Sequence, residues 1–217
     1  MAHLFSEFTL KGVTLRNRIG MSPMTMYRST DGRLGDFHLV HLGARAAGGF
    51  GLVFPEQVAI TPEGRTSVHC AGIYDDAQVE GHARVTAMIE EMGGVPGIQL
   101  GHTGRSGSEE PPWAGWGQIA PDAPDGWQVV GPSDIPYGAP RRPHPVHALT
   151  VDEIADLHRA YAAAAVRAAD AGYRWLELHF AHGYLGSSFF SPLANRRDDE
   201  YGGSLENRAR FLLEALD

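Results

Sequence analysis

The sequence is poor in cysteine, in basic residues and in long apolar runs. Its single cysteine, Cys70, cannot form an internal disulfide, so we expect a reducing compartment. The 18 lysines and arginines are outnumbered by 26 acidic residues, and the net charge of −8 argues against nucleic acid or an anionic membrane as a partner. No apolar run approaches the roughly 18 residues of a membrane span, and Glu7 falls where a secretory signal needs apolar residues. The sequence therefore predicts a cytoplasmic protein.

Strand-like and helix-like segments alternate four times along the chain. Strands are predicted to start near residues 18, 51, 95 and 175, after a small hairpin within 1–17. Helices are predicted over 37–47, from Asp75, over 150–171 and from Ser204 onward. Two of them begin with a capping-box pattern, Asp75 with Gln78 and Thr150 with Glu153. Such alternation predicts an α/β fold with a parallel sheet.

The strand predicted over 175–179 favours a barrel over a doubly wound sheet. Glu177 and His179 share one face of it, which suits the lumen of a barrel. No G-x-G-x-x-G pattern follows any strand, so a dinucleotide-binding sheet is disfavoured. We therefore predict a TIM (β/α)8 barrel. A full barrel needs about 250 residues, so we expect about the first four βα units of a single barrel domain, preceded by the hairpin.

A long irregular connection is predicted over 101–149. It holds nine of the 14 prolines and three of the four tryptophans. Loops of this length in compact domains usually serve a function. Its tryptophans at 113, 116 and 127 either line the mouth of a pocket or pack within the loop.

Two histidines and a tyrosine lie together where the fourth strand ends. His179 and His182 could offer N–H donors to one oxygen on which negative charge develops. A metal site and purely structural histidines are the alternatives. The phenol of Tyr184, with a usual pKa of about 10, is a neutral proton donor at pH 7, or else a buried tyrosine bonded to a backbone acceptor. Glu177 is either a carboxylate near a cofactor or the partner of an arginine.

Five strings resemble the old yellow enzyme family of flavin-dependent ene-reductases. They are NRIGMSPMTMY from residue 17, GIQLGHTGR from 97, HFAHGYL from 179, SPLAN from 191 and DEYGGSLENRARF from 199. The tryptophan-containing loop is similar to that of the xenobiotic-reductase-like class, also called thermophilic-like. Together the strings extend over essentially the whole chain.

The resemblance implies a TIM barrel that holds FMN, takes hydride from NADPH or NADH and reduces the C=C bond of an activated alkene such as an α,β-unsaturated carbonyl compound. It implies that His179 and His182 hold the substrate carbonyl, that Tyr184 delivers the proton and that Tyr27 contacts the substrate. The implied FMN-binding residues are Ser22, Pro23, Met24, Thr25, Gln57, Gln99 and His179.

The chain departs from this family at three positions. Thr25 stands where the xenobiotic-reductase-like class usually has cysteine, so its redox behaviour need not be shared. Gln57 replaces a small residue beside the flavin, and Ser106 replaces a lysine on the substrate side.

The residues that grip the flavin phosphate in such barrels follow strands seven and eight, and 217 residues do not reach them. We therefore expect the N-terminal portion of an FMN-binding domain, completed by a missing C-terminal half or within a homo-oligomer. The alternatives are a truncated, non-catalytic or assembly-dependent half barrel and, less favoured, a metal-dependent TIM-barrel hydrolase.

Overall fold

The computed structural model describes residues 3–138, 140 and 142–217. Its strands are β1 (Phe8–Leu10), β2 (Val13–Leu15), β3 (Gly20–Met21), β4 (Leu52–Val53), β5 (Gln57–Ala59), β6 (Val95–Gly101), β7 (Val130–Gly131), β8 (His147–Ala148) and β9 (Trp175–His179). Its α-helices are α1 (Asp36–Ala47), α2 (Val79–Glu91), α3 (Val151–Asp170), α4 (Leu185–Phe190) and α5 (Leu205–Glu214).

The main sheet has the strand order β3-β4-β6-β5, and β9 also pairs with β6. Strands β3, β4 and β6 are parallel, with Leu52 opposite both Gly20 and Val95. Leu52 and Val53 are both buried, as expected for a strand covered on its two faces. The predicted parallel sheet and the antiparallel β1–β2 hairpin are confirmed.

The predicted helix starts are confirmed by their capping hydrogen bonds. The amide of Ala77 donates to the Asp75 carboxylate at 2.8 Å, and the Asp75 amide donates to the Gln78 side chain at 3.1 Å. A 3-10 turn, Asp76–Gln78, then leads into α2. At α3 the amide of Thr150 donates to Glu153 at 2.7 Å and the amide of Glu153 to Thr150 Oγ1 at 3.2 Å. These bonds satisfy amides that have no partner within the helix.

Contacts divide the chain into two compact units. The first unit comprises residues 3–58, 69–100 and 164–178, and the second comprises the described residues of 59–68, 101–163 and 179–217. Strands β5, β6 and β9 each begin in the first unit and end in the second.

The first unit contains an apolar cluster beneath its hairpin. Leu15, Leu52 and Phe54 are buried there, and Phe8 and Trp175 pack against them. Arg16 donates to the carbonyls of Met92, Ala46 and Phe50 at 2.9, 2.5 and 2.8 Å. The last carbonyls of a helix cannot be bonded by amides of the same helix. The Arg16 guanidinium donates to main-chain carbonyls at, or just beyond, the C-terminal ends of α1 and α2.

The second unit has an aromatic core. The rings of Phe189 and Phe211 are stacked with centroids 4.2 Å apart, and Tyr161 and Phe180 contact Phe211 edge-on. Arg197 donates to the carbonyls of Pro132 and Leu149 in the long connection. In this loop, side chains therefore bond main-chain carbonyls that neighbouring strands would bond in a regular sheet.

Several elements were not predicted. They are the short strands β5, β7 and β8 and the six-residue helix α4. Each is too short to show a periodic apolar pattern, and β7 pairs with β8 across 17 positions of sequence. No helix in the described part of the chain combines the length and the apolar character needed to cross a membrane.

Candidate active site

The structure brings His179, His182 and Tyr184 together in the second unit. His179 Nε2 lies 3.1 Å from His182 Nδ1. The Tyr184 ring is stacked on the ring of His179 at 4.8 Å and lies edge-on to that of His182 at 6.2 Å. His179, the last residue of β9, is buried, Tyr184 is half-buried and His182 is exposed.

The two histidines are arranged in series. The amide of Ala181 donates to His179 Nδ1 at 3.2 Å, so a neutral His179 carries its proton on Nε2. That proton is donated to His182 Nδ1, and His182 then carries its own proton on Nε2. Burial, and secondarily the neighbouring His182, lower the pKa of His179, which keeps that ring neutral. In this state the free ring N–H of the pair belongs to His182, whereas the sequence predicted two parallel donors.

The main chain around His182 is held in an uncommon conformation. His182 has φ +57° and Gly183 has φ +74°, both in the left-handed region. The amide of Tyr184 donates to the carbonyl of Ala181 at 3.1 Å, which closes the turn before α4. This turn aims the imidazole of His182 back towards His179.

Residues of the long connection support this turn, and sequence reasoning missed them. The Tyr137 hydroxyl donates to the carbonyl of His182 at 3.4 Å. The guanidiniums of Arg142 and Arg105 lie 4.4 and 5.4 Å from the centre of the Tyr137 ring. A Cβ at Gly183 would lie 2.8 Å from that ring, so any other residue there would displace the Tyr137 side chain.

Arg142 in turn forms an ion pair with Glu109, whose side chain is fully buried. Burial lowers the pKa of Arg142, but the hydrogen bond and charge of Glu109, with smaller contributions from Tyr137 and Tyr184, raise it overall. A cation is therefore held where it interacts with the Tyr184 phenol. The signal in the sequence was only an arginine in a proline-rich loop.

The predicted flavin contacts other than His179 lie in the first unit. Ser22, Met24 and Thr25 are exposed, and Pro23 is half-buried. The stretch after β3 that was predicted to contact the flavin is therefore largely exposed. Tyr27, with φ +53°, lies in the same stretch and is half-buried.

Two glutamines in this unit differ in how their amides are bonded. Gln57 Nε2 is buried and has no hydrogen-bond partner among the described residues. Gln99 Nε2 donates to the carboxylate of Glu177 at 3.1 Å. Glu177 is thus bonded to an amide, and it forms no ion pair with an arginine among the described residues.

The tryptophans of the long connection have separate surroundings. Trp127 donates through Nε1 to the carbonyl of Glu63 at 3.0 Å, and Arg65 lies over its ring at 5.7 Å, so this one packs within the unit. Trp113 and Trp116 are exposed. Within the described ranges, no three histidine, cysteine, aspartate or glutamate side chains are grouped to hold a metal ion.

Comparisons with known proteins identify relatives over nearly the whole chain. A family model for the NADH:flavin oxidoreductase / NADH oxidase family matches residues 3–217. An NADPH dehydrogenase of Bacillus licheniformis is 44% identical over 216 residues, which are 99% of this chain and 58% of that protein. Morphinone reductase has a TM-score of 0.85 at 35% identity, over 99% of this chain and 57% of that one. An old yellow enzyme homologue of Zymomonas mobilis has a TM-score of 0.83 at 32% identity, over 98% and 58% of the two chains.

The chain thus spans less than three fifths of the length of these relatives. Their structures confirm the predicted fold class, a TIM barrel of which the first part is present. The predicted family is confirmed as well: this chain belongs to the NADH:flavin oxidoreductase / NADH oxidase family.

Proposed function

We propose that this protein is an FMN-dependent oxidoreductase that takes hydride from NAD(P)H and reduces the C=C bond of α,β-unsaturated carbonyl compounds. The observation that carries the proposal is the group formed by His179, His182 and Tyr184. It places a neutral N–H donor and a phenol within one cluster of stacked rings. Conjugate reduction needs a donor for the carbonyl oxygen and a proton for the adjacent carbon.

The order of the hydrogen bonds between the two histidines determines which ring donates a hydrogen bond to the substrate oxygen. His182 donates its Nε2 proton to the substrate oxygen, and the preceding N–H of His179 polarises His182 in the same direction. Because His182 only donates a hydrogen bond, the oxygen gains stabilisation without a proton being lost from the enzyme. Tyr184 supplies the proton at carbon, and the nearby cation of Arg142 stabilises the phenolate left behind.

The first unit offers groups that fit the edge of an isoalloxazine ring. The unpaired Nε2 of Gln57 is a buried donor that a ring carbonyl would satisfy. The exposed stretch Ser22–Thr25 and the Gln99 amide, fixed by Glu177, complete a set of donors and acceptors. FMN supplies the hydride chemistry when it is bound there.

The reductant in this proposal is a nicotinamide cofactor, NADH or NADPH. The name of one relative, NADPH dehydrogenase, and a solved complex of morphinone reductase with tetrahydroNAD support a nicotinamide as reductant. We propose a small activated alkene as the oxidant.

A second candidate is a half barrel that depends on assembly to hold the cofactor. The exposed leucines of α5 favour it, since Leu205 and Leu213 are 54% and 58% exposed. Apolar side chains in such positions are typical of surfaces that another polypeptide covers.

An absorption spectrum of the purified chain, before and after addition of FMN and desalting, separates the two candidates. A retained flavin band that NADPH bleaches and 2-cyclohexenone restores supports the ene-reductase. A colourless protein after desalting supports the assembly-dependent half barrel. A retained flavin that NADPH reduces, but that no enone reoxidises, contradicts the proposed substrate class.

Variants then test the roles of the cluster in flavin-loaded protein. His182→Ala should slow enone reduction by about 10²–10³-fold, and Tyr184→Phe by about 10²-fold or more. Flavin reduction by NADPH should be much less affected, which stopped-flow absorbance measures separately. His147→Ala, which removes an exposed histidine elsewhere in the second unit, serves as the matched control. Equal losses in both half-reactions would contradict the assigned roles.

A further inference from the structure

A cavity of about 260 Å³ lies within the second unit, outside the cluster of His179, His182 and Tyr184. Val130, Leu149 and Leu157 form the apolar part of its lining, and His102 is a polar residue of the lining. Ligand pockets for drug-sized molecules measure about 300–1,000 Å³. This cavity therefore suits a smaller molecule.

His102 contributes a buried hydrogen-bond donor that lacks an acceptor. The residue is 1% exposed, and its Nδ1 accepts a hydrogen bond from the amide of Gly104 at 2.9 Å. The ring proton of the neutral imidazole is therefore on Nε2, which has no partner among the described residues. Burial lowers the pKa of His102 to about 4, although Glu63 opposes this, so the ring is neutral at pH 7. An unpaired buried donor is costly, and an acceptor oxygen in the cavity would relieve the cost.

Carboxylates make up the charged part of the lining. Glu63, Glu153 and Asp156 all contribute to it. Glu153 is engaged by Thr150 and His147, and Asp156 by Arg159, whereas Glu63 forms no ion pair with a described residue. With His102 neutral, the part of the lining that the structure describes carries no cation. The cavity therefore favours a positively charged group next to Glu63.

The wall that carries Glu63 is held in place by the long connection. Trp127 donates to the Glu63 carbonyl, and the Thr61 hydroxyl accepts a hydrogen bond from the amide of Gly64 at 3.1 Å. These two bonds fix the backbone of the turn that carries Glu63 before any ligand arrives. Preorganisation of this kind lowers the cost of binding.

We propose that this cavity is a second binding site, which takes a small aliphatic ammonium compound that also carries a hydroxyl or carbonyl oxygen. The ammonium group pairs with Glu63, the aliphatic stem lies against Val130, Leu149 and Leu157, and the oxygen accepts the proton of His102 Nε2. The site is separate from the redox chemistry and does not rest on the proposed function.

Binding is tested on the 217-residue chain at pH 7 with 4-amino-1-butanol as the probe. The ring resonances of His102 should shift on titration with saturation. 1,4-Butanediol lacks the charge and n-butylamine lacks the oxygen, so each should bind at least about tenfold more weakly. Equal binding of the diol would overturn the role of Glu63, and equal binding of butylamine the role of His102.

Glu63→Gln keeps the shape of the side chain and should weaken the probe about tenfold or more. The matched control is Glu91→Gln, which makes the same change of charge at an exposed position of α2 outside the cavity and should leave binding unchanged. Circular dichroism verifies that both variants are folded. If neither the probe nor its longer homologue 5-amino-1-pentanol shifts His102, the cavity holds only water and the proposal fails. Loss of binding in both variants would show a non-specific charge effect and would also overturn it.

Discussion

The two compact units of the chain are stabilised in different ways. The first is built on β1 to β4 and α1 to α2, and Arg16 bonds the carbonyls left over at the helix ends. The second depends on side chains that reach loop carbonyls, as Arg197 does, and on the buried ion pair of Arg142 with Glu109. In helices and strands most hydrogen bonds join main-chain groups in a repeating pattern. A loop that is held by a few distant side chains loses its support when one of those side chains is replaced. We therefore expect the second unit to be the more sensitive to single polar substitutions.

One histidine in each unit sharpens this comparison. His82 in the first unit has both ring nitrogens bonded, to the Tyr173 hydroxyl at 2.7 Å and to the Gly72 carbonyl at 3.1 Å. His102 in the second has one nitrogen, Nε2, without a partner in the described part of the chain. Burial lowers the pKa of each to about 4. Similar burial therefore lowers the pKa of the two histidines to a similar value, although their hydrogen bonding differs.

The largest expected effect is a loss of stability in acid. The unfolded imidazoles titrate near 6.5, and His82 and His102 titrate near 4 in the fold. Between these pH values the unfolded chain binds more protons than the folded chain. The contribution of the two neutral histidines to the free energy of unfolding is therefore complete above about pH 6.5 and is lost as the pH is lowered towards 4. At about 1.4 kcal/mol per pKa unit, each histidine contributes about 3 kcal/mol.

Urea unfolding at pH 7, 5.5 and 4, together with a titration of the imidazole resonances by NMR, measures this effect. If burial sets both values, the two rings should titrate together. If one ring instead titrated near 6.5, water would have access to it in the folded unit. That result would contradict the expectation that burial lowers the pKa of both histidines equally.

The next effect is expected for Arg142→Met. The substitution leaves the Glu109 carboxylate buried without its partner, which should lower the free energy of unfolding by about 3–5 kcal/mol. The double variant Glu109→Leu with Arg142→Met removes both charges and should recover much of the loss. Chemical denaturation of the three proteins measures both values. A double variant as unstable as the single one would attribute the loss to packing against Tyr137.

A smaller effect is expected for Tyr173→Phe in the first unit. Loss of the hydroxyl leaves the acceptor nitrogen of His82 unsatisfied in the interior, which should cost about 1–3 kcal/mol. Tyr161→Phe is the matched control in the second unit, because the Tyr161 hydroxyl is buried and has no partner among the described residues. That variant should be neutral or slightly stabilising. Equal losses for the two would contradict the hydrogen bond to His82.

The smallest effect on stability is expected for Tyr137→Phe. Its hydrogen bond to the His182 carbonyl is long and lies near the surface, so its removal should cost about 0.5 kcal/mol. The ring remains between Arg105 and Arg142. Small shifts of the imidazole resonances of His179 and His182 should accompany the change. Unchanged resonances would show that the hydroxyl does not influence the turn at His182.

Much of the fold was predictable from local pattern. The hairpin, the helix over 37–47 and the strand over 175–179 follow from apolar periodicity, and the starts of α2 and α3 from their capping residues. The cluster of His179, His182 and Tyr184 was also predictable, because six consecutive positions hold all three residues and a strand ends among them. The pairing of β7 with β8 was not, since two-residue strands carry no period.

By itself the sequence determined the family, the order of the longer strands and helices and the residue types of the candidate site, because these depend on residues close together in the chain. Only the tertiary structure decided how the site groups are bonded. Gln99 meets Glu177 across 78 positions, and Tyr137 reaches His182 across 45. The series arrangement of the two histidines depends on one backbone amide, that of Ala181. The direction of a side chain and the partner of a buried charge are set by packing between distant segments, and no local pattern encodes them.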